Sequence, residues 1–143
     1  MNQERQQGLE WEFSCEMEVR DYELDSQGIV NNSIYFNYFE HARHKFLQAR
    51  GVDFSFLQEN GIDPVVVRAE IDYLVSLRST DQFMVHLRWE QKGRMRTVFH
   101  QEITRVSDSK LMTRAKFIVA TLVNKKPAHA KALFEALEGG SSL

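Results

Sequence analysis

At 143 residues, with 18 Lys and Arg against 20 Asp and Glu and only two prolines, the chain suits one domain. That domain takes in residues 1–143 with a core over about 10–138, and a chain of this size buries roughly 70% of its unfolded surface. A net charge of −2 excludes a general nucleic-acid footprint, no apolar run approaches the roughly 18 residues of a membrane span, and residues 1–9 lack a signal-peptide core.

The first strand signal is Trp11, Phe13, Cys15, Met17 and Val19, alternating with the polar run from Glu10 to Arg20. It places the lone Cys15 on an apolar face. One cysteine permits no internal disulfide and fits a reducing cytoplasm. From Ser33 to Arg50, Ile34, Tyr35, Tyr38, Phe39, Ala42, Phe46 and Ala49 recur at three- and four-residue spacings. This predicts a helix capped by Asn31, Asn32 or Ser33 and stopped at Gly51. The apolar arc is wide, which predicts a largely buried helix. A helical turn follows at Phe54–Glu59. Alternation then marks strands over Val65–Leu77, Phe83–Trp89, Met95–Val106 and Leu111–Val123, with turns at Gly93 and Ser107–Lys110. Ala128–Glu138 reads as a terminal helix, and "GGSSL" after it as a frayed tail. Five one-sided strands need a cover, and only the Ser33–Arg50 helix is long enough. The expected fold is α+β, a five-stranded antiparallel sheet wrapped around one long central helix.

The join between the first strand and that helix, "RDYELDSQGIVNNSIYF" (Arg20–Phe36), carries more than a turn and a cap require. A helix amino end presents unpaired N–H groups and a partial positive charge, able to polarise a carbonyl and stabilise an oxyanion. The N–H groups around Asn32 and Ser33 are the natural donors. Asp25, brought back by a turn at Gly28, is placed to attack that carbonyl or to deprotonate a water that does. Such a constellation suits acyl transfer. The competing reading of the same residues is a turn-capping aspartate and a helix-capping asparagine pair.

The stretch "DSQGIVNNSIYFNYFEHAR", Asp25 to Arg43, resembles the signature of the 4-hydroxybenzoyl-CoA thioesterase family of hot-dog proteins. The longer "VRDYELDSQGIVNN" is similar to plant acyl-lipid thioesterases linked to methylketone synthesis, and "VSLRSTDQF" (Val75–Phe83) resembles a second, weaker family landmark. The resemblance covers about Glu12 to Pro127. It implies that Asp25 is the catalytic aspartate, that the Asn32 N–H faces the thioester carbonyl, and that Gly28 is the turn glycine. Asn31, Ser33 and Tyr35 at the helix start are the candidate substrate contacts. The resemblance also implies a homodimer or homotetramer with sites between subunits. Where the commoner bacterial branch has Tyr-His, this chain has Asn31–Asn32, and Ser76 stands at a position often held by proline.

Other residues read more plainly. His41 and His44 lack a third ligand, so no metal site is expected, and Glu40 and Arg43 read as helix-face charges. Cys15 has no neighbouring histidine to activate it. Asp21 ends the first strand, and Glu23 is given no role. Arg88, Lys92, Arg94 and Arg96 around Gly93 are either a charged turn or, for Arg94 and Arg96, contacts to coenzyme A phosphates. The expectation is a cytoplasmic acyl thioesterase acting on acyl-CoA or acyl-carrier-protein thioesters without cofactor. The alternatives are a non-catalytic acyl-thioester binder and a hot-dog dehydratase or hydratase; the latter needs a histidine that Asp25–Ser33 does not contain.

Overall fold

The computed structural model describes residues 11–139; the expectations for residues 1–9 and for the tail beyond Gly139 fall outside the described residues. Strand β1 (Phe13–Glu18) leads through a 3-10 turn at Asp21–Glu23 into helix α1 (Asn32–Ala49) and the short α2 (Phe54–Glu59). Then come β2 (Ile62–Tyr73), β3 (Gln82–Lys92), β4 (Arg96–Arg105), β5 (Leu111–Val123), β6 (Lys126–Pro127) and α3 (Lys131–Gly139). All pairings are antiparallel in the order β1-β3-β4-β5-β2, with β6 hooked onto β5. The five expected strands and the central helix are all present. The sixth strand has only two residues, too few to show an alternation.

Because β1 and β2 lie on opposite edges, α1 carries the chain across the sheet and residues 74–81 carry it back. Asn31, in extended conformation, caps α1 by accepting the Ser33 N–H at 3.0 Å. At the other end Gly51 takes φ +81°, and the N–H groups of Gly51 and Val52 reach back to the carbonyls of Gln48 and Leu47. That pair of reversed bonds is the usual way a helix closes on a left-handed residue.

Tyr35, Tyr38, Phe39, Ala42 and Phe46 form one buried stripe of α1 and pack with Phe83, Val85, Leu87, Phe99, Ile103 and Phe117 of the sheet. Each large apolar side chain so buried stabilises by roughly 1.5–3 kcal/mol, more than enough to offset the poor helix propensity of the aromatics. The helix is less enclosed than its apolar arc predicts. Phe36, Asn37, Glu40, His41, His44 and Lys45 face outward, because the sheet curls around one side only.

Strand β2 departs further from expectation. Its alternation predicts an inward face through Val65 and Val67, yet Val65, Val66 and Val67 are 43%, 45% and 48% exposed. A register shift between Val66 and Arg68 interrupts the pleat, and among the described residues the strand bonds only to β5. It ends at Tyr73, after which the N–H groups of Leu74 and Val75 both turn to the Met112 carbonyl. At the far end of α1, Leu133, Phe134 and Leu137 of α3 close the core, and the Arg50 guanidinium donates to the Leu137 carbonyl. Eighteen helical residues, about 27 Å, separate that end from the start of α1.

Candidate active site

The chain enters α1 through a small hairpin. Leu24 and Val30 bridge, the Asp25 N–H donates to the Ile29 carbonyl at 2.8 Å, and the Gly28 N–H donates to the Asp25 carbonyl at 3.0 Å. Gly28 closes this turn at φ +80°, where a Cβ is penalised. Asp25 Oδ1 accepts the Gln27 N–H at 2.8 Å and, more weakly, the Ile29 N–H at 3.4 Å. The aspartate therefore does cap its own turn, but with one oxygen of two. Its Oδ2 makes no hydrogen bond among the described residues.

Three contacts hold the hairpin in place. The Val30 N–H donates to the Leu77 carbonyl at 2.9 Å, and Ile29 bridges Arg78, so the 74–81 crossover lies along one side. The Asn31 N–H donates to the Glu23 carbonyl at 3.1 Å. The Glu23 side chain, 4% exposed, supplies the third. Its Oε1 accepts the Arg20 N–H at 2.8 Å and the Tyr38 hydroxyl at 2.6 Å. Its Oε2 accepts Arg20 Nε and Nη2 at 2.9 and 2.7 Å. Burial alone would raise the Glu23 carboxyl; the Arg20 N–H, the Tyr38 hydroxyl and the Arg20 guanidinium together outweigh it and hold the group below the usual carboxylate range. Burial, with the Glu23 carboxylate beside it, pushes the Tyr38 phenol well above its ordinary value. Glu23 is therefore a buried link between Arg20 and Tyr38 rather than a solvated loop acid. The signal that identifies it is an arginine three residues earlier and an aromatic hydroxyl on the buried stripe of the helix. Asp21 does not end β1, which stops at Glu18; it lies exposed in the 3-10 turn.

At the start of α1 the donors divide. Asn31 Oδ1 accepts both the N–H and the hydroxyl of Ser33, each at 3.0 Å, so Ser33 is committed to the cap. The exposed first helical residue, Asn32, carries an N–H that the helix leaves unpaired. The Asn32 carbonyl accepts the Tyr73 hydroxyl at 3.2 Å. Tyr73 belongs to this site although its alternation reads as sheet core; it is 42% exposed and packs edge-on against Tyr35.

The structure therefore brings Asp25, Gly28, Asn31, Asn32 and Ser33 together. Tyr35 lies behind them at 2% exposure, its hydroxyl accepting the Leu77 N–H at 3.0 Å, and supports the crossover from within. Arg94 and Arg96 lie at the α3 end, where the Arg94 carbonyl is 2.8 Å from His129 Nδ1, and so are not beside Asp25 of the same chain.

Arg43 is not an ordinary surface charge. It is 8% exposed, its guanidinium sits 4.2 Å from the Phe117 ring centroid, and Nη1 donates to Gln101 Oε1 at 3.0 Å. Burial pulls its pKa down to about 10. Four residues after Phe39, it falls on the buried stripe, and that spacing is the signal for it. Burial raises the Cys15 thiol, which makes it a poor source of thiolate. His44 faces Glu40 at 3.8 Å, and no metal-binding group of three or more His, Cys, Asp or Glu occurs among the described residues.

A single antiparallel sheet curled around one helix, with an acidic turn at that helix's amino end, is the hot-dog architecture. Residues 19–136 match the family model described as the Thioesterase-like superfamily, and the chain belongs to that superfamily. It is 34% identical over 118 residues to "Acyl-acyl carrier protein thioesterase ATL3, chloroplastic" of Arabidopsis thaliana, a match covering 82% of this chain and 62% of that one. A putative esterase of Aquifex aeolicus is 39% identical over 87 residues, covering 61% of this chain and 68% of the relative. Among solved structures, a hypothetical protein from Aquifex aeolicus superposes with a TM-score of 0.81 at 32% identity, covering 87% of this chain and 98% of that one. The chain thus spans less than two thirds of the length of the plant relative. No helix among the described residues is long and apolar enough to cross a membrane.

Proposed function

We propose that this chain hydrolyses acyl thioesters, carried on coenzyme A or an acyl carrier protein, to the free acid and the thiol. One observation carries the reading: among the described residues, Asp25 keeps an unbonded carboxylate oxygen on a turn that runs directly into the unpaired N–H of Asn32. The names of the similar proteins, a thioesterase and an esterase, support it. With Asp25 as general base, Oδ2 takes a proton from water and the hydroxide adds to the thioester carbon. The charge that develops on the carbonyl oxygen is met by the Asn32 N–H and the positive end of α1. The C–S bond then breaks, and the departing thiolate takes up the proton from Asp25. With Asp25 as nucleophile, its carboxylate adds instead, expels the thiolate and forms an anhydride; water opens it to the free acid and the Asp25 carboxylate, and the water's second proton goes to the thiolate. Asn31 and Ser33 border the approach.

A second copy of the chain pairing along the open β2 edge belongs to this reading, and light scattering at micromolar concentration should show a dimer or tetramer rather than a monomer. The length of α1 sets Arg94 and Arg96 apart from their own Asp25, so any contact they make to coenzyme phosphates is with a thioester at a neighbouring copy. Replacing both by alanine should raise KM for CoA thioesters without lowering kcat; an unchanged KM removes them from the site. The free Cys15 supports a reducing compartment such as the cytoplasm.

The decisive test is thiol release over short, long and aromatic acyl-CoA and acyl-carrier-protein thioesters. Asp25→Asn preserves the acceptor for Gln27 but can neither attack nor take a proton. It should lower kcat at least about 100-fold with thioester binding and melting temperature near wild type. Wild-type turnover in that variant, or a wild-type chain that binds thioesters and releases no thiol, refutes the reading.

A further inference from the structure

Glu23 is a buried carboxylate that the hydrolytic mechanism does not use. It lies two residues before Asp25 and touches the end of β1 and the start of α1, two of the three elements that hold the Asp25 turn, the third being the 74–81 crossover. Its side chain binds Arg20 at the exit of β1 and Tyr38 on the second turn of α1. Its carbonyl binds the N–H of Asn31, the residue that caps α1. Solvated loop acids do not make four side-chain hydrogen bonds at 4% exposure.

The consequence is geometric. The Asp25 carboxylate is oriented by its own turn, but that turn by itself sets no distance to the Asn32 N–H. That distance depends on how the hairpin sits against the helix, and the Glu23 carboxylate with Tyr38 is the side-chain link between them. The Arg20 contact adds the third anchor, so the hairpin is held against sliding along the helix as well as against lifting from it.

We propose that Glu23 is a positioning residue for hydrolysis, holding the Asp25 turn in register with the amino end of α1 through Tyr38 and Arg20. The proposal rests on the thioesterase reading above. A misplacement of about 1 Å at reacting groups can lower a rate on the order of 100-fold while leaving substrate binding nearly intact. The expected signature is therefore a loss in kcat at constant KM. A residue needed only for folding would show lowered thermal stability and an unchanged kcat in the molecules that remain folded.

The test compares Glu23→Gln, Tyr38→Phe and the double variant with wild type in steady-state thiol release, at a temperature well below every melting point. Tyr38→Phe is the mild arm, because it removes one hydroxyl from a buried ring and leaves the Arg20–Glu23 pair in place. Glu23→Gln should lose roughly 10- to 100-fold in kcat, and Tyr38→Phe several-fold, with KM within about twofold of wild type. The double variant should be no slower than Glu23→Gln, because both substitutions break the same link. Folded Tyr38→Phe and Glu23→Gln proteins that keep wild-type kcat overturn the proposal while the thioesterase reading stands. Losses that multiply in the double variant also overturn it. A wild-type chain that releases no thiol sinks the thioesterase reading, and the positioning role with it.

Discussion

The buried Arg43–Gln101 pair allows a stability prediction with opposite expectations for its two halves. Holding a guanidinium charged at pH 7 when burial has drawn its pKa from 12.5 to about 10 costs about 3 kcal/mol. Against this stand the Phe117 ring at 4.2 Å, worth up to about 2 kcal/mol when desolvated, and the bond to Gln101, worth about 1.5–3 kcal/mol. The terms nearly cancel. Arg43→Met removes the charge together with its compensations and keeps a flexible apolar side chain against Phe117. Its stability should lie within about 1 kcal/mol of wild type. Gln101→Leu leaves the cation buried without its acceptor and should cost about 3 kcal/mol or more. The double variant should recover to within about 1 kcal/mol of wild type, so the two substitutions couple by about 2 kcal/mol or more. Urea melts at pH 7 with unchanged slopes measure all three. An Arg43→Met protein as unstable as Gln101→Leu would show that the charge is a net stabiliser and that the balance drawn here is wrong.

Two further outcomes follow from the turn and its anchor. Because the Glu23 carboxyl is held below its ordinary range, the folded state binds a proton less readily than the unfolded one. The Glu23 contribution is therefore complete above the unfolded value of about 4.3 and is lost as pH falls through the lower folded value. The difference in melting temperature between wild type and Glu23→Gln should stay constant from neutrality to about pH 5 and shrink below about pH 4; a gap that persists in stronger acid refutes the assignment. At Gly28 an added Cβ meets nothing within 4 Å, so Gly28→Ala suffers only the φ of +80°. It should cost about 1 kcal/mol, roughly 3 °C in melting temperature, and an unchanged melting temperature would show that the turn does not need a left-handed residue.

Much of this architecture is legible in the sequence, because one-sided strands and a capped amphipathic helix leave periodic traces. Phe83, Val85 and Leu87 alternate and are buried, and Tyr35, Tyr38, Phe39, Ala42 and Phe46 follow the helical repeat and are buried. The alternation misleads in β2, since an edge strand can be as apolar as a central one when its exposed face has some other use. The residues least legible are the polar ones inside. Glu23 and Arg43 look like solvated charges, and only their three-dimensional partners, Tyr38 and Arg20 for one and Gln101 and Phe117 for the other, show why they are buried. Tyr73 was hidden for the opposite reason. Its position fits a strand, but its hydroxyl ends at the helix start, a relation between elements 41 residues apart.

That contact connects assembly with chemistry. Tyr73 is the last residue of β2, and its hydroxyl is bound to the carbonyl of Asn32, the residue whose N–H is the proposed oxyanion donor. Pairing of a second copy along β2 would fix the strand and, through Tyr73, steady the first turn of α1. Assembly and turnover should then be lost together. Val66→Lys tests this, because Val66 is 45% exposed on the open edge and lies outside the Asp25 hairpin. Because the Val66 side chain is exposed, a lysine there should leave the folded monomer intact while opposing edge-to-edge pairing. The variant should run as a monomer in light scattering and lose at least about tenfold in kcat/KM, while its far-ultraviolet spectrum stays that of wild type. In wild type, specific activity should fall on dilution through the concentration at which the oligomer dissociates. A monomeric Val66→Lys protein with wild-type kcat/KM would show that each chain holds a complete site and that the β2 edge serves some other purpose.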